Sequence, residues 1–527
     1  MRNDKTTLGP AAAPELLIRL DRAAPEPLRA QLERELRTAI RAGRLQAGTE
    51  LPSTRALAAD LGLSRGIVVE AYEQLLAEGY LTARRGSATT VAPGRAGASA
   101  SASASAGAMR PETTRPSGLR SETTRSGAAR RDAAVARDAR RARERGPTVR
   151  EESRVETRRF DFRPAVPDTS TFPRRSWYRS LRNILASAAG SVMDYPDPRG
   201  TAACRSALAG YVNRARGAAT QAERMVICSG FTQGFRLACS VLARHGVAAI
   251  ATEDPSHGEQ REAIRAAGLK VVPVPVDENG LMVDRLERSD ARAVLVTPAH
   301  QYPTGCVLAA ERRAALIAWA RRRQAFVIED DYDAEFRYDR EPIGALQGVA
   351  PERVIYIGSA SKTLAPALRL GWLALPDGLV ADFARAKKFE DRGSPTIEQL
   401  AFADFIERGE LDRQLRRMRR LYRRRRDVLV AALRRHLPQQ RVFGIAAGLH
   451  LMLELPADAD EQEVTAAAAA LSVNVNGTRD YCARLKARPA LIIGYGSVRD
   501  SAIPEGIRRL AAALGRRTAL TGKASVP

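Results

Sequence analysis

The residue best suited to covalent chemistry in this chain is Lys362. Seven lysines stand against 77 arginines, so arginine serves wherever positive charge alone suffices. A covalent imine with an aldehyde needs a primary amine that can lose its proton, which a guanidinium cannot supply. Ser359 and Ser361 precede Lys362 and Arg369 follows it, in the segment GSASKTLAPALRLGW. This grouping favours a phosphate site beside a nucleophilic amine, although an ordinary surface lysine is an open alternative.

A second group of chemical side chains lies in the segment FVIEDDYDAEF. It places carboxylates and a tyrosine at the end of an apolar run, where open α/β sheets usually bind ligands. A carboxylate there can keep a pyridine nitrogen protonated, and a phenol can bond a ring hydroxyl. A metal site or an acidic capping turn is the alternative. With five histidines in the chain and five cysteines that lack paired spacing, we expect no metal.

Residues 14–94 have the pattern of three helices followed by a hairpin. Leucines and an isoleucine recur every four residues after Pro27, and serines and glycines mark the starts and ends of two shorter helices. The stretch YLTARRGSATTV predicts a two-stranded wing. In this order the third helix suits the major groove, and a helical dimerisation module is the alternative. The side chains expected at bases or phosphates are Arg55, Ser64, Arg65, Arg84 and Arg85.

Length and charge agree with more than one domain and a polyanionic partner. The 527 residues exceed what one core usually holds, and 44% of them are hydrophobic. A formal net charge of +24 favours phosphate-rich partners, although solvated surface arginines would give the same value. The sequence has neither a signal-peptide pattern nor an apolar run long enough to span a membrane. We therefore expect a cytoplasmic protein with no membrane partner.

The remainder divides into a linker and a large domain. Residues 95–159 are rich in Ala, Ser, Thr, Gly and Arg, which predicts a flexible basic linker. Residues 160–515 alternate short apolar runs with helical segments, which predicts an α/β domain with a largely parallel sheet. A smaller α+β lobe is expected mainly at 393–515, beginning with a long basic helix at about 397–437. The apolar runs are MVICSG, AAIATED, VVPVPVD, AVLVTP, FVIEDD, VIYIGSAS and LGWLALP.

Both halves of the chain resemble known families. The string ELPSTRALAADLGLSRGIVVEAYEQLLAEGYLTARRGSATTV resembles the winged helix-turn-helix of GntR-type regulators. One departure is Gly66, which weakens the third helix by about 1 kcal/mol relative to alanine. The lysine and carboxylate segments resemble fold-type I aminotransferases, and together the two halves resemble the MocR subfamily of GntR regulators. The resemblance implies a mainly α winged helix-turn-helix joined to an α/β, pyridoxal 5'-phosphate-dependent aminotransferase-like fold with a smaller α+β lobe.

This resemblance assigns roles to individual residues. Lys362 would form the Schiff base with pyridoxal 5'-phosphate, Asp330 would pair with the pyridine nitrogen, and Tyr332 would bond the ring hydroxyl oxygen. Arg479 would bind the carboxylate of an amino-acid effector, with Arg261 as a weaker candidate. The residues implied around the phosphate are Ser359, Ser361, Arg369, Thr232 or Gln233 in SGFTQG, and Tyr195 in DYPDPRG, which would reach it across a dimer interface.

Three positions depart from the aminotransferase pattern. His257 stands where an aromatic ring usually covers the cofactor, and an imidazole can both stack and ionise. Tyr302 replaces an asparagine that faces the ring hydroxyl in ordinary aminotransferases. Ile492 stands where many of these enzymes place a carboxylate-binding arginine. The last two departures favour a sensor over efficient transamination.

We therefore expect a homodimeric transcription regulator that binds a double-stranded DNA operator through its winged helix-turn-helix. Its large domain would sense an amino acid, an amine or the cofactor itself. The alternative is an active pyridoxal phosphate-dependent aminotransferase with a fused DNA-binding domain. Because the residues for a half-reaction are present, we expect residual half-reaction activity without physiological turnover.

Overall fold

The structure is a computed structural model. It describes residues 18, 20–22, 26–42, 44–83, 88–92, 159–339, 343–444, 446–484 and 488–521, with side chains as far as residue 515. Two predictions lie outside these ranges, namely nearly all of the linker at 95–159 and the tip of the wing with Arg84 and Arg85. Of the helices that the structure describes, none combines the length and apolar character needed to cross a membrane.

The N-terminal unit contains three helices and a hairpin, as predicted. The helices are α1 (Leu28–Arg41), α2 (Thr54–Leu61) and α3 (Arg65–Ala77). The hairpin pairs β1 (Leu81–Thr82) with β2 (Thr90–Val91) in antiparallel orientation. The apolar positions of the three helices form one core, which includes Leu32, Leu36, Ile40, Val68 and Leu75.

The helix ends in this unit follow local side-chain chemistry with one exception. The Ser53 hydroxyl accepts a hydrogen bond from the Ala56 amide, and Gly62 ends α2 in the left-handed conformation. Ser64 precedes α3 but forms no side-chain cap, so the predicted capping role of this serine is wrong. Its hydroxyl instead stays exposed at the start of the third helix.

The large domain is built on an eight-stranded sheet with helices packed against it. Its first element is β3 (Phe160–Asp161), which pairs outside this sheet. The strands of the sheet are β4 (Met225–Cys228), β5 (Ala249–Asp254), β6 (Lys270–Asp277), β7 (Gly280–Leu281), β8 (Ala293–Val296), β9 (Phe326–Asp331), β10 (Val354–Ser359) and β11 (Gly371–Ala374). The helices before the small lobe are α4 (Arg174–Ser187), α5 (Ala202–Arg216), α6 (Phe231–Arg244), α7 (Gly258–Ala266), α8 (Val283–Glu287), α9 (Ala310–Arg322) and α10 (Val380–Asp391).

The strand order is β4-β11-β10-β9-β8-β5-β6-β7. The inner strands β6, β5, β8, β9 and β10 run parallel, whereas β11 pairs antiparallel with both β10 and β4, and β7 pairs antiparallel with β6. All seven predicted apolar runs form strands of this sheet. Most of these strands are buried along their whole length, as expected for strands covered on both faces. The carboxyl ends of β5, β8, β9 and β10 therefore meet at one edge.

A smaller lobe completes the fold. It contains a four-stranded sheet in the order β12-β13-β16-β15, and β14 pairs with β3 from the start of the domain. The strands are β12 (Val442–Phe443), β13 (His450–Glu454), β14 (Val473–Asn474), β15 (Asn476–Gly477) and β16 (Ala490–Gly494). The helices are α11 (Thr396–Glu407), α12 (Glu410–His436), α13 (Glu461–Ala470) and α14 (Ile503–Thr521).

The single long helix predicted at about 397–437 is wrong, because the segment forms two helices. Gly409 adopts φ +69°, in the left-handed region, and its amide bonds the Ile406 carbonyl. A glycine in this conformation ends one helix without steric cost. The strong helical pattern on both sides of Gly409 conceals this break in the sequence.

Candidate functional site

The sheet edge where β5, β8, β9 and β10 end opens into a cavity of about 280 Å³. Loops after parallel strands are the usual place for ligands in open α/β sheets. The residues from the sequence analysis that line the cavity are Thr232, His257, Tyr302, Asp330, Tyr332, Ser359, Ser361, Lys362 and Arg369. The fold thus brings together segments that are more than 100 residues apart in the chain.

Lys362 lies just beyond β10 with its amine in the cavity wall. Burial lowers the pKa of Lys362 below its ordinary value, and the carboxylates of Asp333 and Asp330 oppose this shift without cancelling it. A lowered pKa increases the fraction of neutral amine, which is the nucleophilic form. The environment of Lys362 therefore favours attack on an aldehyde.

Asp330 lies at the end of β9 and its side chain faces the cavity. Burial raises the pKa of Asp330 well above its usual range, and the neighbouring carboxylates Asp331 and Asp333 raise it further. Within the described part of the chain, its carboxylate forms no hydrogen bond. A protonated ring nitrogen in the cavity would supply both the missing donor and the missing positive charge. Asp330 thus fits a pyridinium partner.

The opposite end of the cavity is suited to an anion. Gly230 precedes α6 with φ +85°, and the exposed amides of a helix N-terminus point towards such sites. The guanidinium of Arg369 donates to the Ser229 carbonyl at 2.6 Å. A Cβ atom at Gly230 would lie 3.4 Å from both terminal nitrogens of that guanidinium. Together with the lining hydroxyls of Thr232 and Ser361, these groups form a cradle that a phosphate would fit.

An aromatic wall closes one side of the cavity. The His257 and Tyr302 rings stack with their centroids 4.1 Å apart at 5°, and the Tyr481 ring packs edge-on against both. The hydroxyls of Tyr302 and Tyr481 are 3.2 Å apart. Burial, with smaller contributions from Lys362 and Arg261, lowers the pKa of His257 to about 4. His257 is therefore neutral at physiological pH and can stack as an aromatic ring does.

Tyr332 is held by two buried side chains that sequence reasoning missed. Its hydroxyl lies 3.0 Å from His300 Nδ1 and donates to the His300 carbonyl at 3.0 Å. His300 Nδ1 also lies 3.0 Å from Asp333 Oδ2. His300, Asp333 and His450 are close enough to share a metal ion, and among the described residues His300 Nε2 and His450 Nδ1 have no hydrogen-bond partner. The contacts of His300 with Tyr332 and Asp333 hold the Tyr332 hydroxyl in place beside the cavity.

Four predicted residues are not among those lining the cavity. The Gln233 side chain accepts a bond from the Ser229 amide and donates to Asp391 at 2.7 Å. Tyr195 is 76% exposed, with the Arg392 guanidinium 5.3 Å from its ring centre. Arg479 is exposed. The buried Arg261 side chain donates to the carbonyls of Ser256, at 2.9 Å, and Tyr481, at 3.0 Å, both next to the aromatic wall. Their roles stay predictions.

The N-terminal unit docks on the large domain through buried polar contacts. The Arg41 guanidinium donates to the carbonyls of Gly217 and Ala218, the latter at 3.2 Å. Arg41 also donates to the Tyr80 hydroxyl at 2.6 Å, and that hydroxyl donates to the Gly348 carbonyl at 3.0 Å. Tyr80 is only 2% exposed. We call this set, Arg41 and Tyr80 with Gly217, Ala218 and Gly348, the dock.

Strand β9 connects the dock to the cavity. Asp331 forms a buried ion pair with Arg216 at 2.7 Å, directly before Gly217 of the dock. Glu329 accepts from the amides of Leu346, at 2.8 Å, and Gln347, at 3.0 Å, directly before Gly348. Successive residues of a strand point to opposite faces. Asp330 therefore faces the cavity, while its two neighbours hold the segments on which the N-terminal unit rests.

The surface expected to meet DNA is accessible. The side chains of Arg55 in α2, and of Ser64 and Arg65 at the start of α3, are exposed. Arg65 is the first residue of α3. In helix-turn-helix proteins the N-terminal residues of the second, recognition helix of the motif contact base edges, and here that helix is α3. These three side chains are free to reach a DNA duplex.

Each of the two parts of the chain matches a known protein family. Residues 167–485 match the family model described as aminotransferase class I and II. Residues 28–91 match the model of bacterial regulatory proteins of the gntR family. Among solved structures, the α-aminoadipate aminotransferase LysN of Thermus thermophilus is 25% identical with a TM-score of 0.62. That match covers 68% of this chain and 93% of LysN.

Curated regulators match this chain over most of its length. The probable rhizopine catabolism regulatory protein MocR of Rhizobium meliloti is 33% identical over 79% of this chain and 79% of its own length. The pyridoxine biosynthesis regulator PdxR of Corynebacterium glutamicum is 31% identical over 83% of this chain and 86% of its own. The regulator YdeL of Bacillus subtilis is 30% identical over 94% and 98%. With a gntR-type unit followed by an aminotransferase class I and II domain, this chain belongs to the MocR subfamily of GntR-type transcription regulators.

Proposed function

We propose that this protein is a DNA-binding transcription regulator that binds pyridoxal 5'-phosphate and senses an amino acid or an amine. The observation that carries this proposal is the placement of the dock. Asp330 faces the cavity, and the residues on either side of it, Glu329 and Asp331, hold the segments that contact the N-terminal unit. A change in the cavity therefore has a short physical route to the DNA-binding unit.

The residues of the cavity fit the cofactor. Lys362 would bind its aldehyde carbon, Asp330 its ring nitrogen and Tyr332 its ring hydroxyl. The phosphate would lie among Arg369, Ser359, Ser361, Thr232 and the start of α6. When bound, the cofactor supplies an electrophilic carbon joined to an electron-withdrawing ring.

The side chains of this protein then set the properties of the site. The neutral imidazole of His257, stacked on Tyr302, covers one side of the cavity and keeps water from it. Asp330 would keep a proton on the ring nitrogen of the bound cofactor. Lys362 would hold the aldehyde carbon, for which the amino group of an effector would compete. Because one carbon holds one amine, the position of the Lys362 side chain would depend on whether an effector is bound.

The effector would meet positive charge near the aromatic wall. We assign its carboxylate to Arg479, with Arg261 as the weaker candidate. Tyr195 would contribute from a second copy of the chain, because its ring is exposed here and a homodimer would bring it to the neighbouring phosphate site. We place the DNA-binding unit at 14–94, the linker at 95–159 and the large domain at 160–515, with the small lobe mainly at 393–515. A regulator of operator DNA would act in the cytoplasm.

A working aminotransferase is the second candidate. It is favoured by the presence of Lys362, Asp330 and Arg369 around one cavity, since a half-reaction uses residues of these types. Tyr302 and Ile492 oppose it: Tyr302 occupies the cavity wall, and Ile492 is fully buried in β16 and offers no charge to a carboxylate. An enzyme would form many equivalents of product per chain from an amino acid and a keto acid. A regulator would form about one equivalent per chain.

Replacing Arg55 or Arg65 with alanine is expected to weaken operator binding. The loss should be about 1–3 kcal/mol where the arginine makes a bidentate base contact, and the salt dependence should flatten where it contacts phosphate. Fluorescence anisotropy with a labelled operator duplex at several salt concentrations measures both effects. Arg244→Ala, an exposed change at the end of α6, is the matched control. Unchanged affinity in both Arg55→Ala and Arg65→Ala would contradict the assigned DNA surface.

The depressed pKa of His257 predicts a pH-dependent stability. The unfolded chain takes up a proton at the ordinary value near 6.5, whereas the folded chain resists it down to about 4. The contribution of His257 to the free energy of unfolding is therefore fully present above pH 6.5. It is lost as the pH decreases towards 4, by about 3 kcal/mol at about 1.4 kcal/mol per pH unit.

His257→Phe keeps a stacking ring but removes this titration. Urea unfolding without cofactor, measured across that pH window, should show a smaller loss of stability in the variant than in the wild type. The carboxylates are the same in both chains, so their contribution cancels in the comparison. Parallel pH profiles would show that His257 does not resist protonation in the folded protein.

A further inference from the structure

Helix α12 carries a row of exposed arginines that the proposed function does not use. Eleven of its 27 residues are arginine. Positions three or four apart lie on one face of a helix. We call the following residues the arginine stripe, because they are exposed and follow this spacing: Arg413, Arg416, Arg417, Arg420, Arg423 and Arg424.

Among the described residues, four of the six stripe arginines have no acidic partner. Arg413 pairs with Glu410, and Arg424 pairs with Asp500. Over the described ranges, however, Arg416, Arg420 and Arg423 form no hydrogen bond or ion pair. Like charges at these spacings destabilise a helix. The stripe therefore presents positive charge that is left available for a partner.

The other face of α12 fixes the stripe in place. Leu415, Met418, Tyr422 and Leu429 are buried in the main core. Arg425 on that face bonds Asp168 at 2.6 Å and Asp500 at 3.0 Å. Because the buried face of α12 is packed in the core, the backbone that carries the exposed arginines is fixed relative to the large domain.

The stripe begins close to the DNA-binding unit. Asp412, just before Arg413, bonds Arg214 of α5 at 3.0 Å. Arg214 lines a cleft whose other wall includes Arg34 and Arg37 of α1. The start of the stripe therefore lies near helix α1 of the DNA-binding unit.

We propose that the arginine stripe binds the phosphate backbone of DNA that flanks the operator. The stripe spans about 17 Å at 1.5 Å per residue, a length over which duplex DNA carries about ten phosphates. A backbone contact needs charge and a regular row but no base recognition. DNA is the polyanion that the proposed function already brings to the molecule, so we favour it over an acidic protein segment. The proposal rests on DNA binding by the N-terminal unit and adds a second contact surface.

The test measures the affinity of full-length wild-type, variant and control proteins for a short and a long DNA duplex. The short duplex is a core of about 20 base pairs, two half-sites one helical turn apart, selected from a random library by the wild-type protein. The long duplex has the same core with added flanks. The variant is Arg416→Ala/Arg420→Ala/Arg423→Ala, whose positions are exposed and tolerate alanine in a helix. The matched control removes three other exposed arginines of the large domain, Arg236, Arg244 and Arg288.

We expect the wild type and the control to bind the long duplex more tightly than the short one. The stripe variant should bind the short duplex normally but lose the gain from the flanks. Its salt slope on the long duplex should fall by about 2–3, at about 0.9 per lost phosphate contact. Circular dichroism should show an unchanged fold.

Three outcomes would overturn the proposal. They are a wild type with no gain from the flanks, a stripe variant that keeps the gain, and a control that loses as much as the stripe variant. A stripe variant that retains the DNA gain but loses binding of an acidic peptide would assign the surface to a protein instead. If the wild type selects no duplex at all, the proposed function itself fails, and the stripe proposal fails with it.

Discussion

Lys362→Ala is expected to abolish covalent retention of pyridoxal 5'-phosphate and, with it, the response of DNA binding to the effector. Among the described residues that line the cavity, Lys362 alone carries an amine. The visible absorbance of the lysine-bound cofactor should therefore disappear. Binding of operator DNA without effector should persist, because α1, α2 and α3 have their own apolar core. Absorbance spectra and operator titrations with cofactor and candidate amino acids measure the two effects.

Lys388→Ala is the matched control, because Lys388 is an exposed lysine in α10. It should retain the colour, the cofactor and the response. A full effector response in the Lys362 variant would contradict exchange of amines as the switch. Non-covalent binding of the effector would then take its place.

Breaking the ion pair between Arg216 and Asp331 should have the largest effect on stability. Their side chains are 1% and 2% exposed, and Tyr356 donates a further bond to Asp331 at 2.6 Å. Removing one partner leaves a buried charge without compensation, which typically costs about 3–5 kcal/mol. Arg216→Met should therefore lower the free energy of unfolding by that amount in urea denaturation.

Two further variants separate this pair from a general charge effect. Arg216→Met/Asp331→Asn removes both charges and should recover much of the loss. Lys270→Met breaks the exposed pair of Lys270 with Asp290 and should change stability by less than about 1 kcal/mol. If the double variant folds, we also expect a smaller effector response, because the segment before the dock is no longer tied to β9. Equal stability of Arg216→Met and wild type would contradict the role given to this pair.

Much of the fold was predictable because its signals are local. The apolar runs of β4, β5 and β8 to β11 show no alternation, and this is what burial on both faces of a sheet requires. The rarity and the neighbours of Lys362 distinguish it in the sequence, and it lines the same cavity as Asp330; its role as a nucleophile stays a prediction. Ser53 and Gly62 mark the ends of α2 through interactions with the adjacent backbone.

The features that escaped prediction depend on distant partners. His300 lies 32 residues from Tyr332, and Arg216 lies 115 residues from Asp331, so no local pattern reports either contact. The dock joins Tyr80 to Gly348, 268 residues away. The break at Gly409 was missed for another reason. Glycine is tolerated inside a helix at a moderate cost, and only its left-handed conformation distinguishes a glycine that ends a helix from one within it.

The most direct test of the central claim is the operator affinity of the wild-type protein loaded with pyridoxal 5'-phosphate, measured across a panel of amino acids and amines. A keto acid is included in parallel samples, and the product is quantified. We expect one compound or a small chemical class to change the affinity at least about fivefold, the lower end of typical coupling between sites, with product limited to about one equivalent. Constant affinity across the panel, together with many equivalents of product, would contradict a regulator and identify the protein as an enzyme.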